Sequence, residues 1–132
     1  MEGISQNQLI ENTGKIFHMF DELPLSYAVY KVVSGPKGPD AVVLYANRRF
    51  MTMTRKTPET LIGLRITRFF DLPPEEWLTL AVAAGLEGRT VDSSFYFAPL
   101  KCRCAVTAYP VIGPGFCAFT FRREDRQTDA AE

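Results

Sequence analysis

Tyr45-Ala46-Asn47-Arg48-Arg49-Phe50, followed closely by Thr57-Pro58-Glu59-Thr60-Leu61-Ile62-Gly63, is the stretch whose reading decides the fold. The run just before it, Val42-Val43-Leu44-Tyr45, is β-branched and aromatic and reads as a strand. Asn47 comes next, a residue whose side-chain oxygen caps a helix. Phe50 and Met53, three apart, then share one face of a short helix. Thr57 is a second N-cap, with Pro58 at the position a helix tolerates best. Gly63 closes that turn, where a left-handed residue is commonly needed.

Upstream, Leu25 to Val33 is strand-like and Ala41 to Ala46 is its partner. The Gly- and Pro-dense stretch from Ser34 to Asp40 between them predicts a hairpin with a connection longer than two residues. Downstream, Leu64 to Phe70 reads as a brief helical turn, and Asp71 to Glu76 as a helix start with prolines and acids in its first turn. Trp77, Leu78, Leu80, Ala81, Val82 and Ala84 make the following segment apolar nearly all round, hence a core helix, ended by Gly85 or Gly88. Three strand candidates close the chain: Thr90 to Ala98, Leu100 to Val111 and Gly115 to Arg123. Two strands, several small helices and three strands make an α+β plan with a five-stranded antiparallel sheet.

The aromatic-Ala-Asn-x-x-Phe pattern at 45–50 and the Glu-x-Leu-Ile-Gly pattern at 59–63 resemble the PAS domain family. Element order matches too, so the resemblance covers residues 23–124. It implies a five-stranded antiparallel sheet flanked by short helices and one longer core helix. It also implies a sensory, dimerising module with a ligand cavity between sheet and helices. Three departures bear on function. Members that form a flavin–cysteine bond carry cysteine where Arg48 stands, so covalent flavin photochemistry is not expected. Haem-binding members usually supply a histidine from the long helix, and residues 75–85 contain none, so b-type haem is not expected either. Many PAS domains end in Asp-x-Thr, whereas Arg123-Glu124-Asp125 stands here.

The N-terminal residues 1–22 carry their own signal. Ser5 and Gln8 have capping-box spacing. Leu9, Thr13, Ile16 and Phe20, with Ile10 and Phe17 beside them, follow the 3.6-residue period of an amphipathic helix. Its apolar stripe must cover either its own sheet or the same helix of a second chain. On the last strand Cys117, Phe119 and Phe121 alternate with Phe116, Ala118 and Thr120, so both faces need cover. Together these features give an expected homodimer interface of Leu9, Thr13, Ile16, Phe17, Phe20, Phe119 and Phe121. Residues 125–132 read as a polar tail.

Composition narrows the function. The 132 residues are 46% hydrophobic and 23% charged with a net charge of zero, a globular profile for one domain. Bulk attraction to nucleic acid or to an anionic membrane is therefore not expected. Neither a membrane span nor a signal peptide is legible. Three cysteines make no disulfide framework, which points to the cytoplasm. Cys102 and Cys104, two apart on a strand, share a face; with Cys117 they supply three thiols, short of tetrahedral zinc. His18, the sole histidine, lies opposite Leu9 and Phe20 on its helix, so packing cysteines are favoured over a metal or a thiol–imidazole pair.

Phe50, Phe69, Phe70, Trp77, Phe95 and Phe97 can line or fill a cavity, with Tyr30, Asn47 and Thr120 as its polar groups. Arg48, Arg49, Arg55, Lys56, Arg65 and Arg68 face only Glu59 within their stretch, either as an anion site or, in the favoured reading, as a solvated face. The expected function is a non-catalytic signal-sensing or interaction module of a larger bacterial-type signalling protein. It would bind a small ligand or partner and serve an output domain outside this chain. The rivals are a small α+β enzyme or carrier working at Cys102 or Cys104, and a ligand-free dimerisation module.

Overall fold

In the computed structural model, which describes residues 5–36, 38–68, 75–97 and 101–124, the Ser5 hydroxyl caps the first helix, α1 (Gln6–Phe17). It accepts from the Gln8 N–H at 3.1 Å. A 3-10 turn, His18–Phe20, follows. Strands β1 (Ser26–Gly35) and β2 (Gly38–Ala46) form the first hairpin. Three short helical pieces come next: α2 (Arg48–Thr54), α3 (Pro58–Leu61) and a 3-10 turn at Ile66–Arg68. The longer helix α4 (Glu75–Gly85) leads into β3 (Val91–Phe97), β4 (Cys102–Pro110) and β5 (Phe116–Arg123). The five strands form one antiparallel sheet in the order β2-β1-β5-β4-β3. Phe69, Phe70 and the tail 125–132 lie outside the described residues.

The hairpin is tighter than the Gly- and Pro-rich stretch predicts. Ser34 pairs with Pro39 and Gly35 with Gly38, leaving a two-residue connection. The prolines are accommodated because β2 is an edge strand, where a missing N–H does not break an interior ladder. The outer side of that edge is partly covered by the segment after α3. The Val43 N–H donates to the Leu64 carbonyl at 2.9 Å, and the Gly63 N–H to the Val43 carbonyl at 2.8 Å. Gly63 holds φ +91° to make this return, the left-handed role its position predicts.

Two hydrophobic layers sandwich the sheet. The inner one joins Ala28, Tyr30, Val43, Val106, Phe119 and Phe121 of the strands to Phe50, Leu61, Trp77 and Leu80 of the helices. α4 approaches so closely that a Cβ on Gly85 would meet Val32 Cγ2 at 2.8 Å. The outer layer is smaller: Phe17 of α1 with Tyr27, Val29, Tyr45 and Ala118. The first helix therefore lies on its own sheet. Phe17 stacks on Tyr45 with centroids 5.8 Å apart, and Phe20 meets Tyr27 edge-on at 4.8 Å.

Asn47 is fully buried at the junction of these layers. Its side-chain oxygen accepts from the N–H of Phe50 at 3.0 Å, the expected helix cap, and also from the N–H of Tyr27 at 3.1 Å. Its amide group donates to the carbonyls of Phe20 at 3.1 Å and Leu25 at 2.8 Å. One side chain thus ties the start of α2 to the start of β1 and to the end of the N-terminal turn. Asn47→Ala removes the cap and strands buried backbone groups, a loss of about 3 kcal/mol. The melting temperature should fall by roughly 10 °C for a domain of this size. Asn47→Asp keeps the cap but turns a carboxylate toward two carbonyl oxygens. It should be destabilised as well, and unchanged melting of this variant in calorimetry would reduce Asn47 to a cap.

Candidate functional site

The space between sheet and helices is where the expected ligand residues should meet, and four of them do. Tyr30, Phe50, Trp77 and Phe95 are all buried in the inner core. The Trp77 indole N–H donates to the Tyr30 hydroxyl at 3.1 Å. The indole ring stacks on Phe119 at 6.1 Å and tilts onto Phe121 at 5.1 Å, with Phe50 edge-on at 6.4 Å. Tyr30 packs edge-on against Phe119 at 4.7 Å. Among these described residues the aromatic side chains fill one another's space. Desolvation holds the Tyr30 phenol well above its ordinary pKa, opposed only in part by the indole hydrogen bond.

The other expected ligand residues are elsewhere. Asn47 commits its amide to four backbone partners and offers nothing to a cavity. Thr120 pairs with Tyr27 and Thr107 on the outer face of the sheet, because the alternation of β5 runs opposite to the predicted sense. Phe69 lies outside the described residues.

The same facing moves two of the seven expected interface residues to the inner side of the sheet. Phe119 and Phe121, expected at a subunit interface, are buried on the inner face against Trp77. Thr13 and Phe17 are buried beneath α1, and Leu9 and Phe20 are half-buried. Ile16 is 57% exposed and its neighbour one turn on, Met19, 71%. Packing of α1 onto its own sheet thus accounts for most of the stripe, and Ile16 and Met19 remain turned to solvent.

The three thiols do not converge. Cys102, Cys104 and Cys117 all lie on the inner face, but Cys117 pairs with Pro110. Cys104 is six positions along β4 from Pro110, about 20 Å at strand rise. His18 is exposed on the far side of the sheet, its ring against the Lys15 carbonyl at 3.3 Å. A metal site shared by the three thiols has no geometric basis, nor does a thiol–imidazole pair.

The basic residues of the 48–68 stretch are dispersed. Arg48 pairs with Glu22 at 2.6 Å, which holds that carboxyl below its usual range. Arg65 reaches the Ser34 carbonyl at 3.1 Å and the Asp40 carboxylate at 3.9 Å. Asp40 is itself buried and accepts from the Thr67 hydroxyl at 2.7 Å.

Solved structures with this arrangement exist. The LOV protein of Rhodobacter sphaeroides superposes with a TM-score of 0.60 at 19% identity, covering 88% of this chain and 69% of that one. The PAS domain of an HTR-like protein from Haloarcula marismortui gives 0.53 at 15% identity, covering 90% and 97%. The fold is that of a PAS domain. A further PAS-fold neighbour is the photoactive yellow protein domain of the sensor histidine kinase Ppr from Rhodospirillum centenum. It gives 0.54 at 21% identity, covering 80% and 90%. No protein-family model matches the sequence, and no curated protein matches it. Arg48 is exposed at the start of α2.

Burial pushes the Cys117 thiol up to about 12. The phenols of Tyr27 and Tyr45 are also raised, by desolvation first and then by hydrogen bonds to Tyr109 and Asp21. Above about pH 9 the unfolded chain gives up protons that the folded chain retains, so stability falls as pH rises. Chemical denaturation at increasing alkaline pH should show a midpoint that declines steadily. Cys117 should resist iodoacetamide in the native protein and react on unfolding; rapid native labelling would contradict its packing role.

Proposed function

We propose that this chain is a sensory module of PAS type that works through protein–protein interaction and performs no catalysis. The observation that carries this reading is the indole of Trp77, locked between Tyr30, Phe119 and Phe121 where a core ligand would sit. The enzyme or carrier alternative is the weaker one, because Cys102, Cys104 and Cys117 are all buried and His18 is exposed on the other side of the sheet. The reading includes neither covalent flavin photochemistry nor b-type haem. Arg48 occupies the flavin-reactive position, and α4 carries no histidine for haem iron. Three buried thiols suit a reducing cytoplasm. No described helix is long and apolar enough to cross a membrane.

In this reading the partner is a second copy or a neighbouring domain of a longer signalling protein. Ile16 and Met19, exposed on the outer side of the N-terminal segment, supply the homodimer contact. Binding there favours one packing of α1 on the sheet, and the change passes to an output domain through the chain ends. Native mass spectrometry should give a dimer of unmodified mass, and extra mass lost on denaturation would restore a core ligand. Replacing Ile16 and Met19 together by Asp should yield a monomer by light scattering with unchanged melting. A dimer that survives this change would place the interface elsewhere.

A further inference from the structure

A cleft of about 490 Å³ opens where the start of β1, the surface of α2 and the end of β5 come together. Four arginines line it: Arg49 and Arg55 from the α2 region, Arg122 and Arg123 from the end of the last strand. The sequence separates these pairs widely. The β1–β5 register, with Ser26 opposite Phe121, brings the second pair beside the first. Among the described residues no carboxylate lines the cleft. Among the described residues Arg49, Arg55 and Arg122 make no ion pair, and the acids close by are committed elsewhere. Glu22 takes Arg48 at 2.6 Å, while Glu124 accepts from the Ser94 hydroxyl at 2.6 Å and lies near Arg103.

Arg49, Arg55 and Arg122 set three like charges around one concavity, where they repel one another, in a chain whose total formal charge is zero. That repulsion weakens when an anion enters. Guanidinium groups present forked donors that match phosphate oxygens two at a time, and several together suit a ligand with adjacent charges. Thr52 adds a hydroxyl on the same wall. Met53 and Phe121 add apolar surface, and the volume exceeds what a bare diphosphate occupies. We infer that this cleft binds a small organic diphosphate, its phosphates held by Arg49, Arg55 and Arg122 and its organic portion against Met53. The assignment is independent of whether the core between sheet and helices holds a ligand.

The test is calorimetric titration of the full chain with inorganic diphosphate and with adenosine diphosphate, without added metal. Both should bind, the nucleotide more tightly. Raising salt from about 20 to 200 mM should weaken binding roughly tenfold, as screening acts on exposed charges. Arg49→Gln combined with Arg122→Gln should lower affinity at least about tenfold, since each removes a charge-assisted contact. Melting of that variant should not fall. Arg48→Gln, which alters the Glu22 pair outside the cleft, should bind like the parent. Equal loss in Arg48→Gln would overturn the assignment by showing a diffuse charge effect. So would binding of citrate or a poly-glutamate peptide without diphosphate binding, which would give the cleft to carboxylates.

Discussion

Four hydrogen bonds made by one buried amide hold the architecture together. Asn47 stands where β2 ends, and its side chain has two acceptor sites and two donor hydrogens, all satisfied by backbone. Without it the start of β1, the first N–H groups of α2 and the turn after α1 would each need another partner in a site closed to water. Phe50, one turn into α2, reaches the inner core only because the cap fixes where that helix begins. Phe20, on the other side, is fixed through its carbonyl and so delivers its ring to Tyr27. A strand–Asn–helix sequence is therefore a three-way joint between both layers and the sheet.

Around that joint the sheet is buried unequally. The inner face carries a continuous aromatic core under α4, and the outer face is dry only beneath α1. Toward β3 and β4 the outer surface becomes polar, with Asp92 accepting from the Thr107 hydroxyl and Arg103 donating to the Ser94 carbonyl at 3.2 Å. Tyr109 marks the border, its hydroxyl 2.6 Å from that of Tyr27. Helix α1 thus extends the core over the first hairpin and leaves the second half of the sheet wet.

Element type and order were legible because each strand and helix carried its own period and punctuation. Asn47, Pro58 and Gly63 marked boundaries that the structure keeps. The facing of β5 was not legible. Residues 116–121 are apolar or neutral at every position, so alternation has no sign and does not tell that Phe119 and Phe121, rather than Thr120, face inward. The tight hairpin is hidden by its prolines, which signal a loop unless β2 is known to be an edge. The arginine cleft was beyond sequence reading. Only the pairing of β1 with β5 joins Arg49 to Arg122, and nothing local announces a pairing between such distant segments.

That pairing also governs how the chain is made. β1 is complete by Gly35, yet its inward neighbour is the last strand, Phe116–Arg123. During synthesis the first hairpin emerges long before the strand that must lie beside it. Until then β1 presents a row of unsatisfied N–H and C=O groups, a template for mispairing with other nascent chains. Closing so long a loop is slow compared with forming hairpins or helices, which places folding of this domain in the millisecond-to-second class of non-local β topologies. Helix α1 precedes the hairpin in the chain, and in the folded domain its Phe17 covers Tyr27 and Tyr45 on the apolar outer face.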